Sequence, residues 1–264
     1  MSIRPARVAY ALVLIGLGIT GLVNGGFALV WQDVPKGVPA YTALSYLCAV
    51  VELLAGLGLL FKPTLTQAAR LSFVFLVLWV VLLKLPKLLM APQDVESWGG
   101  FGEIGIITAG SWALFAAHAG AWERAHLKFL VAERGILGAR LLLIACMPMI
   151  GLVHFVFSGP TADFVPAWLP AHLAWAYITG SGSMLAAAGL LFGVWPRLAA
   201  SMETVMLGII STLCWGPLLS TGRTACTAFL ISWAITIGAW LIADTYRKSP
   251  WLAIGNPSKA ITLD

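Results

Sequence analysis

The chain has 264 residues, of which 60% are hydrophobic and only 10% charged, with a mean hydropathy of +0.91 and a formal net charge of +5. Average soluble domains carry about 25% charged residues, so the composition excludes a cytosolic enzyme, a disordered chain and a disulfide-rich secreted scaffold. It predicts an all-α polytopic membrane protein. The basic balance is no argument for nucleic acid as a partner, because Lys and Arg also set the orientation of membrane helices.

A helical span needs about 20 apolar residues. Eight segments qualify, at 8–30, 42–61, 68–90, 101–118, 137–157, 171–192, 198–219 and 224–244. The first follows Arg4 and Arg7, and its apolar run is too long for a signal-peptide core, so it reads as a retained helix. Proline, glycine and charge mark the breaks, as in Asp33-Val34-Pro35-Lys36-Gly37, Lys62-Pro63 and Trp195-Pro196-Arg197. With eight spans, Arg4, Arg7, Lys62, Arg70, Arg124, Lys128, Arg134, Arg140, Arg197, Arg247, Lys248 and Lys259 gather at one face. Only Lys36, Lys84, Lys87 and Arg223 fall at the other. The positive-inside rule then puts the richer face, and both termini, in the cytoplasm of a bacterial inner membrane.

The sequence also repeats itself. Val34-Pro35-Lys36-Gly37-Val38-Pro39-Ala40 returns 131 positions later as Val165-Pro166-Ala167-Trp168-Leu169-Pro170-Ala171. The same offset carries Leu54-Ala55 onto Leu185-Ala186, Gly58-Leu59-Leu60-Phe61 onto Gly189-Leu190-Leu191-Phe192, and Pro86 onto Pro217. Ser111-Trp112 pairs with Ser232-Trp233 after a shorter final loop. Two four-helix bundles follow, over 1–118 and 137–264, joined by a cytoplasmic linker at 119–136. Because each repeat has an even number of helices, both enter the membrane in the same sense, as in parallel-repeat transporters. The linker's Trp122, Leu127, Phe129, Leu130 and Val131 suit either a surface-lying amphipathic helix or a solvated loop.

His154-Phe155, the Val165-Pro166 turn, Tyr177-Ile178-Thr179-Gly180 and Gly189-Leu190-Leu191, with Lys84-Leu85-Pro86 in the first repeat, resemble the DoxX family of small bacterial four-helix membrane proteins. The resemblance implies association with quinone-linked redox processes, and a redox partner protein alongside the lipid bilayer. The family's helix-two glutamate is Glu52 in the first repeat, with Ser183 at the matching place in the second. Its helix-one histidine is His154 in the second repeat, with Asn24 in the first.

Six residues are candidates for ligand binding or proton carriage. Glu52 stands near mid-span, where a charged acid costs several kcal/mol unless it faces a bundle interior or wet cavity. It reads either as a proton carrier or ligand group, or as a packing acid bonded to Thr108 or Ser111. Lys84 and Glu103, with Lys87, lie near the outer helix ends, as snorkelling side chains or as the rim of a polar mouth. His154, His172 and Arg223 fall in the outer layer with Asp163 and Trp215. The two histidines lack the local spacing of a metal motif, which favours a hydrogen-bonded pocket or packing over a metal site. Cys48, Cys146, Cys214 and Cys226 form no C-x-x-C pair, and a Cys214–Cys226 bridge is disfavoured by the usual spacing of helices. The expected function is support of a redox process, with a quinone or small hydrophobic ligand in an outer-half cavity. The alternatives are a small proton-coupled transporter and a non-catalytic scaffold or assembly factor. No flavin, nucleotide or haem motif supplies a catalytic residue.

Overall fold

Apolar surroundings leave a chain two ways to satisfy its backbone, the helix and the closed barrel. This chain takes the first. A computed structural model describes residues 5–28 and 31–255, apart from the side chain of Arg223; Arg4 and Lys259 lie outside the described residues. The long helices are α1 (Pro5–Asn24), α2 (Tyr41–Leu60), α3 (Leu65–Trp79), continued by α4 (Leu85–Met90), α5 (Val95–His118), α7 (Ala132–Val156), α9 (His172–Leu191), α10 (Pro196–Ile210) and α11 (Arg223–Thr245), with short α6 (Ala121–His126) and α8 (Ser158–Asp163) between them. Beyond them lies a single isolated bridge, Val194 to Ile254.

Seven helical stretches among the described residues are long and apolar enough to cross a membrane: Pro5–Asn24, Tyr41–Leu60, Lys62–Met90, Val95–His118, Ala132–Val156, Pro196–Thr221 and Thr224–Thr245. The segment expected as a further span, 171–192, is also a helix, α9, but Thr179, Gly180, Ser181, Gly182 and Ser183 dilute its apolar content. The first span stops at Asn24 rather than running to residue 30. Gly25 takes a left-handed φ of 65° there and ends the helix.

The long helices close into a ring. α1 packs on α2, α2 on α3, α3 on α5, α5 on α7, α7 on α9, α9 on α10, α10 on α11, and α11 returns to α1. α5 and α11 also pack on each other across the ring. Burial follows this plan: 72% of the α5 span is buried, against 22% of each outer span, Lys62–Met90 and Pro196–Thr221. The expected four-helix groups are thus not separate bundles, since the last helix of each packs on the first of the other. At the α5–α11 crossing a Cβ on Gly110 would stand 2.5 Å from Gly238 Cα, and one on Gly238 would stand 2.7 Å from Ile106 O. The contact sits within Thr108-Ala109-Gly110-Ser111-Trp112 and Thr236-Ile237-Gly238-Ala239-Trp240. It therefore matches the two helices seven residues away from the Ser111–Ser232 pairing read in the sequence.

Several local geometries recur at the 131-residue offset. Ala40 and Ala171 are both left-handed, with φ 56°, just before α2 and α9. A Cβ on Gly58 would meet Ala68 Cβ at 2.7 Å, and one on Gly189 would meet Ala199 Cβ at 3.2 Å. A π-helical segment occupies Val80–Lys84, and another Ser211–Trp215. Pro86 and Pro217 stand two residues beyond these segments. A proline inside a helix lacks the N–H and crowds the carbonyl four residues earlier; a locally widened turn relieves that crowding.

The 119–136 stretch holds the six-residue α6 and the first turn of α7, and it is tied to the bundle. Arg70 pairs with Glu123 at 3.0 Å, the Trp112 indole N–H donates to Leu130 O at 2.8 Å, and Val131 is buried.

Two outcomes follow. Gly238→Ala forces backbone apart at the crossing and should cost about 1–3 kcal/mol, read as a lower midpoint of thermal unfolding in detergent; Gly37→Ala, in open space, should leave it unchanged. At the start of α5, Asp94 accepts from the Ser97 hydroxyl at 2.7 Å and from the Glu96 and Ser97 backbone N–H groups, which hold its carboxyl below the ordinary value of 3.8. A lowered folded-state value means that this stabilisation is complete above the ordinary value and is lost as the pH falls through the folded one. Asp94→Asn keeps the cap without the charge, so its thermal midpoint should depend less on pH at the acid end than that of the natural protein.

Candidate functional site

The connector from α1 to α2 builds the site. Phe27 packs edge-on against Tyr41 and Trp79, with centroids 4.9 and 5.9 Å away, and Trp31 lies against Phe75 at 6.4 Å. These apolar anchors sink the connector into the bundle end, with Phe27, Trp31 and Gln32 all buried. Gln32 folds back to accept from the Ala28 N–H at 3.0 Å. Its amide Nε2 donates to Glu52 Oε1 at 2.9 Å.

Glu52 is 2% exposed, in the middle of α2. Its partner is Gln32, not Thr108 or Ser111. Thr108 donates to Ile104 O in its own helix, and Ser111 shares a hydrogen bond with Ser72, which also bonds Tyr10. A small, partly open pocket lies beside Glu52, its enclosed space no larger than about one water molecule. Thr20 and Asn24 of α1, Ser45 of α2, Thr227 of α11 and Gln32 give it polar walls, and Leu17, Phe27 and Ala49 give it apolar ones. Its mouth is at the connector end of the ring. Of the five candidates whose side chains are described, Glu52 alone lines this pocket.

Lys84 is buried at the end of its π-helical segment and is ion-paired with Asp33 at 2.7 Å. Its ammonium lies above the bare backbone of Gly100, 3.6 Å from where a Cβ would stand. Glu103, half-buried one turn farther along α5, feels the same charge. Lys84 and Glu103 therefore belong to one cluster with Asp33, next to the connector that closes over Glu52.

His154 stands apart, near the end of α7. Its Nδ1 is 2.7 Å from Thr179 Oγ1. The Thr179 hydroxyl also lies within hydrogen-bond distance of the Trp175 and Ala176 carbonyls, and the tautomer of His154 sets which group donates in their contact. His172 begins α9, seven residues before Thr179, or about 10 Å along the axis at 1.5 Å per residue. The two histidines do not share one depth, contrary to the sequence reading. Arg223 begins α11, and its side chain lies outside the described residues. Among the described residues no group of three or more His, Cys, Asp or Glu is placed to hold a metal ion, and all four cysteines are free thiols.

Sequence reasoning missed three participants: Gln32, Asp33 and Glu203. The two in the connector carry no periodic signal. Glu203 had one, because the 131-residue offset carries Glu52 onto Ser183 and Ser72 onto Glu203. In the later pair, Ser183 Oγ donates to Glu203 Oε1 at 2.9 Å.

Removing one member of a buried polar pair leaves the other unsatisfied, at about 1–3 kcal/mol. Gln32→Leu should therefore lower the unfolding midpoint, whereas Gln32→Leu combined with Glu52→Leu should lose less than the sum of the two single changes, measured as a double-mutant cycle in detergent. No known protein-family model matches the chain, and no curated protein or solved structure is detectably similar to it.

Proposed function

We propose that the chain is a DoxX-like, multi-pass protein of a bacterial inner membrane that holds a small hydrogen-bonding molecule beside Glu52 in support of a redox process. The observation that carries the reading is the pocket itself: a buried acid, already paired with an amide, at the floor of an opening between α1, α2 and α11. A quinone headgroup is the ligand class that the family resemblance implies. Gln32 Nε2 has a second N–H beyond the one given to Glu52, and the Asn24 amide lies on the same wall. These groups suit a carbonyl oxygen reaching in from the mouth, and the ring that carries it would lie at the mouth rather than in the enclosed space. When bound, a quinone would supply the electron chemistry together with a redox partner protein; the chain's own residues position it.

The architecture in this reading is a tandem duplication, 1–118 and 137–264 joined by 119–136, with eight spans including α9. The recurring left-handed alanines, glycine–alanine contacts and π-helical segments support it. The uneven distribution of Lys and Arg supports cytoplasmic termini. Reporter fusions at residue 128 and at the C-terminus should both read as cytoplasmic; a periplasmic signal at either overturns the even-helix duplication.

The ligand reading is tested by native mass spectrometry of the protein purified with its lipids. Co-purified quinone that is lost in Gln32→Leu is the expected result. A tightly bound protein with no small molecule would make the chain a scaffold. The mid-span position of Glu52 favours a second reading, proton-coupled transport, and proton flux into liposomes that vanishes with Glu52→Gln would move the site to it.

A further inference from the structure

We infer that Glu203, seated on Ser183, is a second intramembrane proton-binding site, in the half of the ring opposite Glu52. Glu203 lies seven residues into α10 and is 2% exposed, about 10 Å from the helix start. One carboxyl oxygen, Oε1, accepts from the Ser183 hydroxyl at 2.9 Å. The other, Oε2, is fully buried and has no hydrogen-bond partner among the described residues. Buried polar atoms are normally paired, and each exception calls for an account. A carboxylate kept permanently ionised with one oxygen bare is a poor structural element, since a buried charge needs hydrogen bonds on all sides to be tolerated. A carboxyl that holds a proton at the bare oxygen carries no buried charge, and it becomes a carboxylate only when water reaches Oε2 to take that proton away. Nothing is oxidised or reduced in that step; one O–H bond breaks at the carboxyl and one forms on the water.

Among the described residues nothing holds Glu203 in an ion pair. α10 packs on α9 and α11. On α9 the titratable groups are His172 and Tyr177, eleven and six residues before Ser183. On α11 they are Arg223, whose side chain lies outside the described residues, Cys226, near the helix start, and Asp244, whose Oδ1 is bound by Arg247 at 2.9 Å. Arg197, on α10 itself, lies over the Trp251 ring at 4.1 Å. Placement relative to Glu52 is the second argument. The helix pair α2–α3 carries its acid as Glu52 opposite a serine position, Ser72, and α9–α10 carries it as Glu203 opposite Ser183, with acid and serine exchanged between the same two places. Each half of the ring thus has one acid on the same helix pair, and the inference does not rest on any ligand beside Glu52.

Two measurements test it on the full-length protein. A hydrophobic carbodiimide, dicyclohexylcarbodiimide, forms a stable adduct only with a protonated carboxyl in an apolar setting. Peptide mass spectrometry of the treated natural protein should find that adduct on Glu203. In infrared difference spectra recorded between two pH values, a carboxylic C=O band should disappear in Glu203→Gln, persist in Glu52→Gln, and move to higher frequency in Ser183→Ala as its hydrogen bond is lost. The inference is overturned if Glu203 stays unmodified and Glu203→Gln leaves the spectrum unchanged, or if its band does not respond to pH. If the variant does not fold, the carbodiimide result on the natural protein decides alone.

Discussion

The architecture depends on the crossing of α5 and α11. Inside a bilayer, helices gain little by hiding apolar side chains from lipid, so their association rests on close van der Waals contact between small residues. Gly110 and Gly238 allow the two backbones to touch, and nothing with a Cβ fits between them. The contact locks together the middle of the sequence and its last long helix. It also fixes where α1 and α7 must pack, each on a last helix contributed by the other group. Thr227 on α11 reaches the Glu52 pocket through this arrangement, so the site is complete only when the ring is closed.

Polar chemistry is unevenly divided around the ring. On the first side, one short connector carries both Gln32, which meets Glu52, and Asp33, which meets Lys84. Two adjacent residues thereby satisfy two buried groups on two different helices, and the aromatic anchors on either side set their depth. At the positions matching Asp33 and Lys84 on the second side stand Phe164 and Trp215, whose rings pack at 5.1 Å. Where one side has an ion pair, the offset positions on the other thus carry an aromatic pair.

Much of the fold was legible in the sequence. Apolar runs of span length, broken by Pro, Gly and charge, become helices because a lipid-facing backbone has no other partner than itself. The 131-residue offset pairs Ala40 with Ala171 and Pro86 with Pro217, and the structure adds that both alanines are left-handed. Helix-to-helix order was less legible, because hydropathy says how deep a helix is and nothing about which neighbour it chooses. The glycine contact between the last helices, Gly110 on Gly238, is not singled out by the Ser111–Ser232 pairing. At the site, Glu52 and Lys84 were visible as charges out of place, whereas their partners were not. Gln32 and Asp33 lie in a connector with no period, and only tertiary packing carries them inward.

The π-helical segment before Pro86 has a consequence for how this gene can vary. One extra residue in a helical turn rotates everything beyond it by about 100°, one residue's share of a 3.6-residue turn. Leu65, Ala68, Ala69, Ser72, Phe73 and Leu76 form the inward stripe of α3, and beyond the widened turn that stripe resumes at Lys84 and Leu88. Loss of a single codon between residues 80 and 83 would restore an ordinary helix, at a cost of one leucine or valine in a stretch full of them. It would also swing the ammonium away from Asp33 toward the lipid. By composition the shortened chain would be indistinguishable from the original, yet it would have lost the ion pair that fastens the connector over Glu52.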